Sequence, residues 1–345
     1  MRMRRVYILP SFEGELNNRL FENEGNDYQV WCFVRSFLEQ KGFTLATADL
    51  WQSEEKHLDD TLIVLGHPEA GLFRRLNYAF KRRFFHKDPF ALKYYRYRQF
   101  INQFPKRILI QSEPSAVTPF FYKNLSTLRS WYAKIYLASR SQEDGFHFRP
   151  HIFENVFEPY FSNQDRKFLA LMNGNKKPGD FTNELYSERL RAIAYFSKRG
   201  ELDLYGAGWN RPIYFPYWRY RKYARQSYRG YVENKYETLS HYTFAICYEN
   251  AILPGWITEK MLDCFVSGTI PIYYGDPEVT KIIPKECFID LRDFETYDQL
   301  ESFLKSRTPA DLEAYRIAIK QWYAVKGNKV FTKEYFARFL SEAIL

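Results

Sequence analysis

Glu249 and Asn250 follow the apolar run Phe244–Tyr248, and Thr258, Glu259 and Lys260 open the next helical pattern. A hydrophobic core requires none of these residues. A helix start presents unpaired N–H groups and a partial positive charge. Thr258 suits the N-cap, which puts Glu259 and Lys260 in the first turn. A lysine there opposes the helix dipole by roughly a few tenths of a kcal/mol. An anion such as a diphosphate above the helix start would account for it, and Glu259 could accept hydrogen bonds from ribose or sugar hydroxyls. The competing reading is an ordinary surface Glu-Lys pair. Two further candidates follow buried strands: Glu113 in Ser112-Glu113-Pro114-Ser115, and His67 in Gly66-His67-Pro68. A solvated loop acid and a turn residue are their plainer readings.

These residues need elements to hold them. Arg5–Leu9, Thr61–Leu65, Arg107–Gln111 and Ile135–Ala138 read as short apolar strands of the kind buried on both faces of a parallel sheet. Tyr28–Gln40 carries Val30, Phe33, Val34, Phe37 and Leu38 on one helical face. The pattern breaks around Phe157–Asp165 and then restarts. Phe168–Met172, Leu202–Tyr205, Phe244–Tyr248 and Ile270–Tyr273 are strands, and Leu185–Ser197 and Glu259–Ser267 are helices. Lys333–Leu345 is a last amphipathic helix. No internal repeat or low-complexity linker intervenes. Two α/β halves with a break near residue 160 predict two Rossmann-like domains facing a central cleft, with ligands beyond the carboxyl ends of the strands.

Composition narrows the field. Aromatic residues make up 19% of the chain, which disfavours disorder. No run of about 18 apolar residues predicts a transmembrane helix, and the apolar part of MRMRRVYILPSF is too short for a signal peptide. Cys32, Cys247, Cys264 and Cys287 lack metal-ligand spacing and read as free thiols of a reducing compartment. The net charge of +9 favours an anionic partner. Lys81–Arg98 and Tyr214–Arg229 interleave basic and aromatic residues, as rings and guanidinium groups that stack on bases or sugars do; the plainer reading is a surface covered by long side chains.

Tyr248-Glu249-Asn250, then Pro254-Gly255-Trp256-Ile257-Thr258-Glu259-Lys260, then Gly268-Thr269-Ile270-Pro271-Ile272-Tyr273-Tyr274-Gly275 with Pro277 resemble the signature of the α-1,3/1,4-fucosyltransferases of glycosyltransferase family 10. The match is ordered and spans about thirty residues; a looser likeness covers about half the chain. It departs at Ala251, Tyr248, Trp256 and Tyr274, where the signature has serine, phenylalanine, tyrosine and tryptophan. The resemblance implies a GT-B enzyme with an acceptor-binding domain at 1–158, a GDP-fucose-binding domain at 159–328, and a terminal helix at 329–345 packing back on the domains. It implies phosphate contact by Lys260, ribose or fucose contact by Glu259, a donor pocket lined by Glu249, Asn250 and Thr258, and Trp256 against the nucleotide. Glu188-Arg189-Leu190 resembles the site of the phosphate-binding arginine, with Arg191 as the alternative to Arg189, and Lys235 resembles a lysine preceding the next strand.

Ser112-Glu113-Pro114-Ser115 resembles the element that carries the family's general base. An inverting transfer needs a carboxylate in hydrogen-bond reach of the acceptor hydroxyl, so the resemblance makes Glu113 the expected base; His67, which also follows a strand, is the spare. No Asp-x-Asp triplet follows a strand, so no obligatory metal is expected. The expected partners are GDP-fucose and a glycan acceptor, with peripheral contact to an anionic membrane or lipopolysaccharide, a cytoplasmic location at the inner membrane face, and no nucleic acid. Two alternatives remain at this level: a GT-B transferase for another nucleotide sugar, and a basic nucleic-acid-binding protein, which gives no reason for Glu113 or the Thr-Glu-Lys helix start.

Overall fold

The computed structural model describes residues 4–22, 26–52, 57–67, 97–137, 165–324 and 329–345. The chain divides into two compact units, Met1–Ile152 with Val330–Leu345, and Phe153–Lys329.

In the first unit, β1 (Arg4–Leu9), β2 (Phe43–Thr47), β3 (Thr61–Leu65), β4 (Lys106–Gln111) and β5 (Lys134–Leu137) form an all-parallel sheet in the order β2-β1-β3-β4-β5. Both faces are covered, which is why the central strands are apolar at nearly every position. One face receives α1 (Asn26–Glu39), with Val30, Val34 and Leu38 buried. The terminal helix, Lys333–Ile344, packs beside it: Phe336, Leu340 and Ile344 share that core, and the Trp31 and Phe336 rings meet edge to face at 5.4 Å. The end of the chain therefore completes the first core. Ile101, Phe104, Phe121 and Leu128 fill the other face.

The second unit has β6 (Lys167–Met172), β7 (Leu202–Tyr205), β8 (Tyr228–Gly230), β9 (Tyr242–Tyr248), β10 (Ile270–Tyr274) and β11 (Ile289–Asp290), again all parallel, in the order β11-β10-β9-β6-β7-β8. The chain winds outward from β6 to β8, then returns to β9 on the other side of β6. The gap between β6 and β9 is the topological switch point, where doubly wound sheets bind ligands. Two helices reach it: α2 (Tyr186–Lys198) after β6, and α3 (Glu259–Val266) after β9.

The structure adds elements beyond those expected from sequence. β2 alternates buried and half-buried residues, β8 and β11 are three and two residues long, and none carries the all-apolar signal of a central strand. The helices Tyr297–Lys305 and Pro309–Trp322 do have signals: Thr296 and Thr308 cap them, the second through a full capping box with Asp311. Of the basic aromatic cluster Lys81–Arg98, residues 81–96 lie outside the described residues, as do Pro68 and Ala138.

The first unit holds one buried ion pair at the foot of β3. Asp60 accepts from Arg5 Nε and Nη2, both at 2.8 Å, and from Trp51 Nε1 and the His57 amide, both at 3.1 Å. Burial alone would raise this carboxyl, but Arg5, the His57 amide and the Trp51 indole outweigh it and hold it below its ordinary value of 3.8. A depressed carboxyl contributes stability that is present above its unfolded-state value and is lost as pH falls through its folded value. Asp60→Asn is expected to cost about 2 kcal/mol near neutral pH. Melting followed from about pH 6 down to pH 2 should show the gap between wild type and variant closing at the acid end.

Candidate active site

Glu249 is the residue after β9. Its side chain is fully buried, and its carboxylate is used entirely at the start of α3. Oε1 accepts the Thr258 backbone N–H at 2.7 Å. Oε2 accepts the Thr258 hydroxyl at 2.7 Å and the Lys260 ammonium at 2.9 Å. Lys260 Nζ also donates to Thr258 Oγ1 at 2.8 Å and lies 3.8 Å from Glu259 Oε1. Thr258 occupies the N-cap position with extended backbone, but its hydroxyl makes no capping bond to the helix and donates to Glu249 instead. A second loop closes the arrangement: the Glu249 N–H donates to Tyr274 O at 2.7 Å. A Cβ on Gly275 would sit 2.5 Å from Glu249 Cγ, so only glycine leaves that side chain its place.

Three expectations change here. The contacts of Glu249 are internal, and it holds Lys260 in place. Lys260 has a counter-charge within the free protein, so its position against the helix dipole does not by itself require an external anion. Trp256 is 1% exposed and presents no free ring face to stack on; it lies under Lys260, whose ammonium is 5.9 Å from the ring centroid.

Arg189 comes from the other side of the switch point. It is one turn into α2, 4% exposed. Its Nε and Nη2 donate to Tyr248 O at 3.1 and 2.6 Å, and Nη2 to Asn250 Oδ1 at 2.8 Å. Its guanidinium lies 5.0 Å over the Tyr186 ring. Among the described residues no carboxylate is within ion-pairing distance of it. Burial draws its pKa down, and Tyr186, Glu249, Glu184 and Glu259 oppose that from further away. Arg191, two residues on, points some 200° round the helix; it is half-exposed and paired with Glu188. The helical period thus separates the two arginine candidates, with Arg189 alone entering the interior. Asn250 is fixed from both ends, because its carbonyl accepts Leu185 N–H at 3.0 Å.

Lys235 begins the short helix Lys235–Ser240 and pairs with Asp263 of α3 at 2.9 Å. Burial would lower its pKa, but the Asp263 carboxylate and Tyr236 raise it. Lys235 thus braces α3 from a surface beyond the Glu249 cluster. Glu259 is partly exposed at the helix start.

Glu113 lies in the first unit. Its loop is held rigidly by its own backbone: Tyr122 Oη donates to Glu113 O at 3.0 Å, Thr118 Oγ1 at 3.4 Å and Gln111 Nε2 at 3.5 Å. Gln111 Oε1 in turn accepts the His67 N–H at 2.9 Å. The loops after β3 and β4 are therefore one hydrogen-bonded unit. His67 is buried among Phe120, Phe121 and Trp131, with Nδ1 3.3 Å from Tyr132 Oη, the setting of a packed histidine. Among the described residues no group of three or more His, Cys, Asp or Glu side chains is placed to hold a metal, and no helix is long and apolar enough to cross a membrane.

The Arg189 and Glu249–Lys260 cluster sits at the switch point of a doubly wound unit that follows another such unit, the layout of a GT-B-like glycosyltransferase. A solved glycosyltransferase from Rickettsia africae shares this fold at 11% identity, with a TM-score of 0.51 over 99% of this chain and 98% of that one. Residues 181–335 match the family described as glycosyltransferase family 10 (fucosyltransferase) C-term. It is 43% identical over 77 residues to an α-(1,3)-fucosyltransferase of Helicobacter pylori, covering 22% of this chain and 16% of that protein. It is 33% identical over 67 residues to an α-(1,4)-fucosyltransferase of Arabidopsis thaliana, covering 19% and 17%. The matched segment thus spans about a sixth of either relative.

Removing the Glu249 carboxylate should deprive the largely buried Lys260 of its 2.9 Å ion-pair partner. Glu249→Ala is expected to destabilise the second unit by about 3 kcal/mol. Gly275→Ala should act in the same direction by pushing the Glu249 side chain off its bonds. Urea unfolding of both variants, with Gly14→Ala as a control where a Cβ meets nothing within 4 Å, checks this.

Proposed function

We propose that the protein is an inverting fucosyltransferase that moves L-fucose from GDP-β-L-fucose to a hydroxyl of a glycan. The observation that carries this reading is Arg189: a buried guanidinium at the switch point with only neutral close partners, on the opposite side of the strand end from Lys260. Arg189 and Lys260 bring two positive charges to the end of β9, against Glu249 and the partly exposed Glu259, and a diphosphate would bind between the two cations. Fixed cations in a water-poor pocket stabilise charge that develops on a leaving group far better than mobile ones in water do.

In this reading the acceptor oxygen attacks the anomeric carbon from the face opposite the diphosphate. The carbon–oxygen bond to GDP breaks, its electron pair leaves with the diphosphate, and the acceptor proton passes to the Glu113 carboxylate. One displacement converts the β-linkage of the donor to an α-linked product. Lys260 and Arg189 offset the charge on the departing GDP. Glu259 accepts from ribose or fucose hydroxyls, Asn250 lines the pocket, and Glu249, Thr258, Trp256 and Lys235 position the cations and the helix. No metal is assigned a step. Contact with an anionic membrane face or lipopolysaccharide, and a cytoplasmic location at the inner face, belong to the same reading; the net charge of +9 and the four unpaired thiols support them.

Transfer and hydrolysis assayed across GDP-fucose, GDP-mannose and UDP-sugars should show turnover with GDP-fucose alone; preference for another donor would assign the scaffold to a different sugar. Glu113→Gln should lower kcat by about 100-fold or more with GDP affinity kept, and near-wild-type turnover would remove Glu113 as base. Lys260→Ala should weaken GDP binding by about tenfold or more, and unchanged affinity would remove the phosphate assignment.

A further inference from the structure

The loops that follow β6 and β7 carry three exposed aromatic rings: Phe181 is 54% exposed, Phe215 80% and Trp218 56%. The loop after β7 is cationic, while the loop after β6 also carries Asp180 and Glu184. Residues 206–232 contain no Asp or Glu, but six Arg or Lys. Arg211, Arg219 and Lys222 are exposed, as is Lys177 on the neighbouring loop, and none of the four has an ion-pair partner among the described residues. Contacts link several of these side chains. Lys177 Nζ lies 5.9 Å over the Phe181 ring and Arg219 5.5 Å over the Trp218 ring. Phe181 meets Tyr214 at 6.1 Å between centroids, Tyr214 meets Tyr217 at 5.5 Å, and Tyr217 meets Tyr220 at 6.0 Å.

This surface adjoins the segments that carry Arg189 and Asn250. The segment just after Phe181 pairs with the loop after β9: Ile252 N–H donates to Asn183 O at 2.7 Å, and Glu184 bridges Ala251. Tyr214 is within electrostatic reach of Glu184, Tyr186 and Arg189. Its hydroxyl, like Arg221 Nε, is buried with no hydrogen-bond partner among the described residues. An exposed row of rings, unpaired cations and unmet polar groups thus leads outward from the proposed leaving-group site.

We propose that this shelf is a subsite for an acidic saccharide, the acceptor chain of the transfer proposed above, so that the enzyme's acceptor carries carboxylate, sulfate or phosphate groups. The inference rests on that reading of the Arg189 site. Aromatic faces suit the apolar faces of sugar rings, and arginines and lysines supply charge-assisted bonds to anionic substituents. The shelf does not suit the donor's base, because a nucleobase is neutral and would leave the shelf cations unmatched, while the donor's diphosphate already has Arg189 and Lys260. A bilayer is the weaker fit, because three exposed rings offer a small apolar face for insertion and the rings that join Phe181 inward, Tyr214, Tyr217 and Tyr220, are half-buried.

The test uses the full chain and two probes of equal length, tetragalacturonate and neutral galactotetraose, titrated calorimetrically with GDP present. Tetragalacturonate is expected to bind about tenfold or more tighter than the neutral chain. Phe181→Ala with Trp218→Ala, and separately Arg219→Gln with Lys222→Gln, should each weaken it about tenfold while GDP affinity is unchanged. Both pairs are exposed, so folding is retained, and circular dichroism checks that. Equal binding of the two probes, or binding indifferent to both variants, overturns the proposal. So does loss of GDP affinity in the shelf variants, which would make the surface part of the donor site. Pelleting with phosphatidylglycerol vesicles that the variants abolish, in the absence of tetragalacturonate binding, overturns it in favour of lipid. Tetragalacturonate binding by a wild-type chain that does not bind GDP would uphold the shelf and remove the donor reading instead.

Discussion

The Glu249 carboxylate is buried, and its three bonds all go to the segment that starts α3. A carboxylate this deep is tolerated only when its charge and lone pairs are matched. Matching it fixes three things together: the end of β9, the first turn of α3, and the ammonium of Lys260. Gly275 belongs to the same constraint, since β10 must release its chain without a side chain for Glu249 to fit. The fully buried Trp256 supports Lys260 from the other side. Lys260 is thereby held near a fixed position before any substrate arrives, and a preorganised cation loses little on binding an anion.

Arg189 depends on the same strand end by a different route. Three of its five N–H donors go to the Tyr248 carbonyl and the Asn250 side chain, so the chain direction after β9 decides where the guanidinium points. Neutral acceptors hold it without cancelling its charge. Two cations with different anchoring, one ion-paired and one held by carbonyl and amide oxygens, therefore flank one turn of backbone. The switch-point topology makes this convergence possible, because only there do the helix after β6 and the helix after β9 start beside each other on opposite sides of the sheet.

Much of this framework was legible in the sequence, for physical reasons. Thr61–Leu65 and Phe168–Met172 lie in parallel strands with buried centres and announce themselves by apolar runs. The β9–α3–β10 run is also legible, because Thr258 and Gly268 punctuate it and its polar joints have no core role. Chemical roles were less legible. Spacing could not say that Glu249 turns inward to Thr258 and Lys260, since that depends on the close passage of Gly275 from another strand. Nor could it separate Arg189 from Arg191 without the phase of α2, which needs the helix start at Tyr186. Trp256 looked like a ligand-stacking residue because its type is right, but its burial is decided by tertiary packing. The helices at Tyr297–Lys305 and Pro309–Trp322 had capping signals that a search for apolar faces passes over.

The central claim is that the second unit recognises a diphosphate through two preorganised cations. Calorimetric titration of the wild-type chain with GDP, GMP and guanosine tests it most directly. The account predicts that affinity climbs with each phosphate, with GDP bound about tenfold or more tighter than guanosine and the difference shrinking as salt is added. Guanosine bound as tightly as GDP, with no dependence on salt, would contradict it.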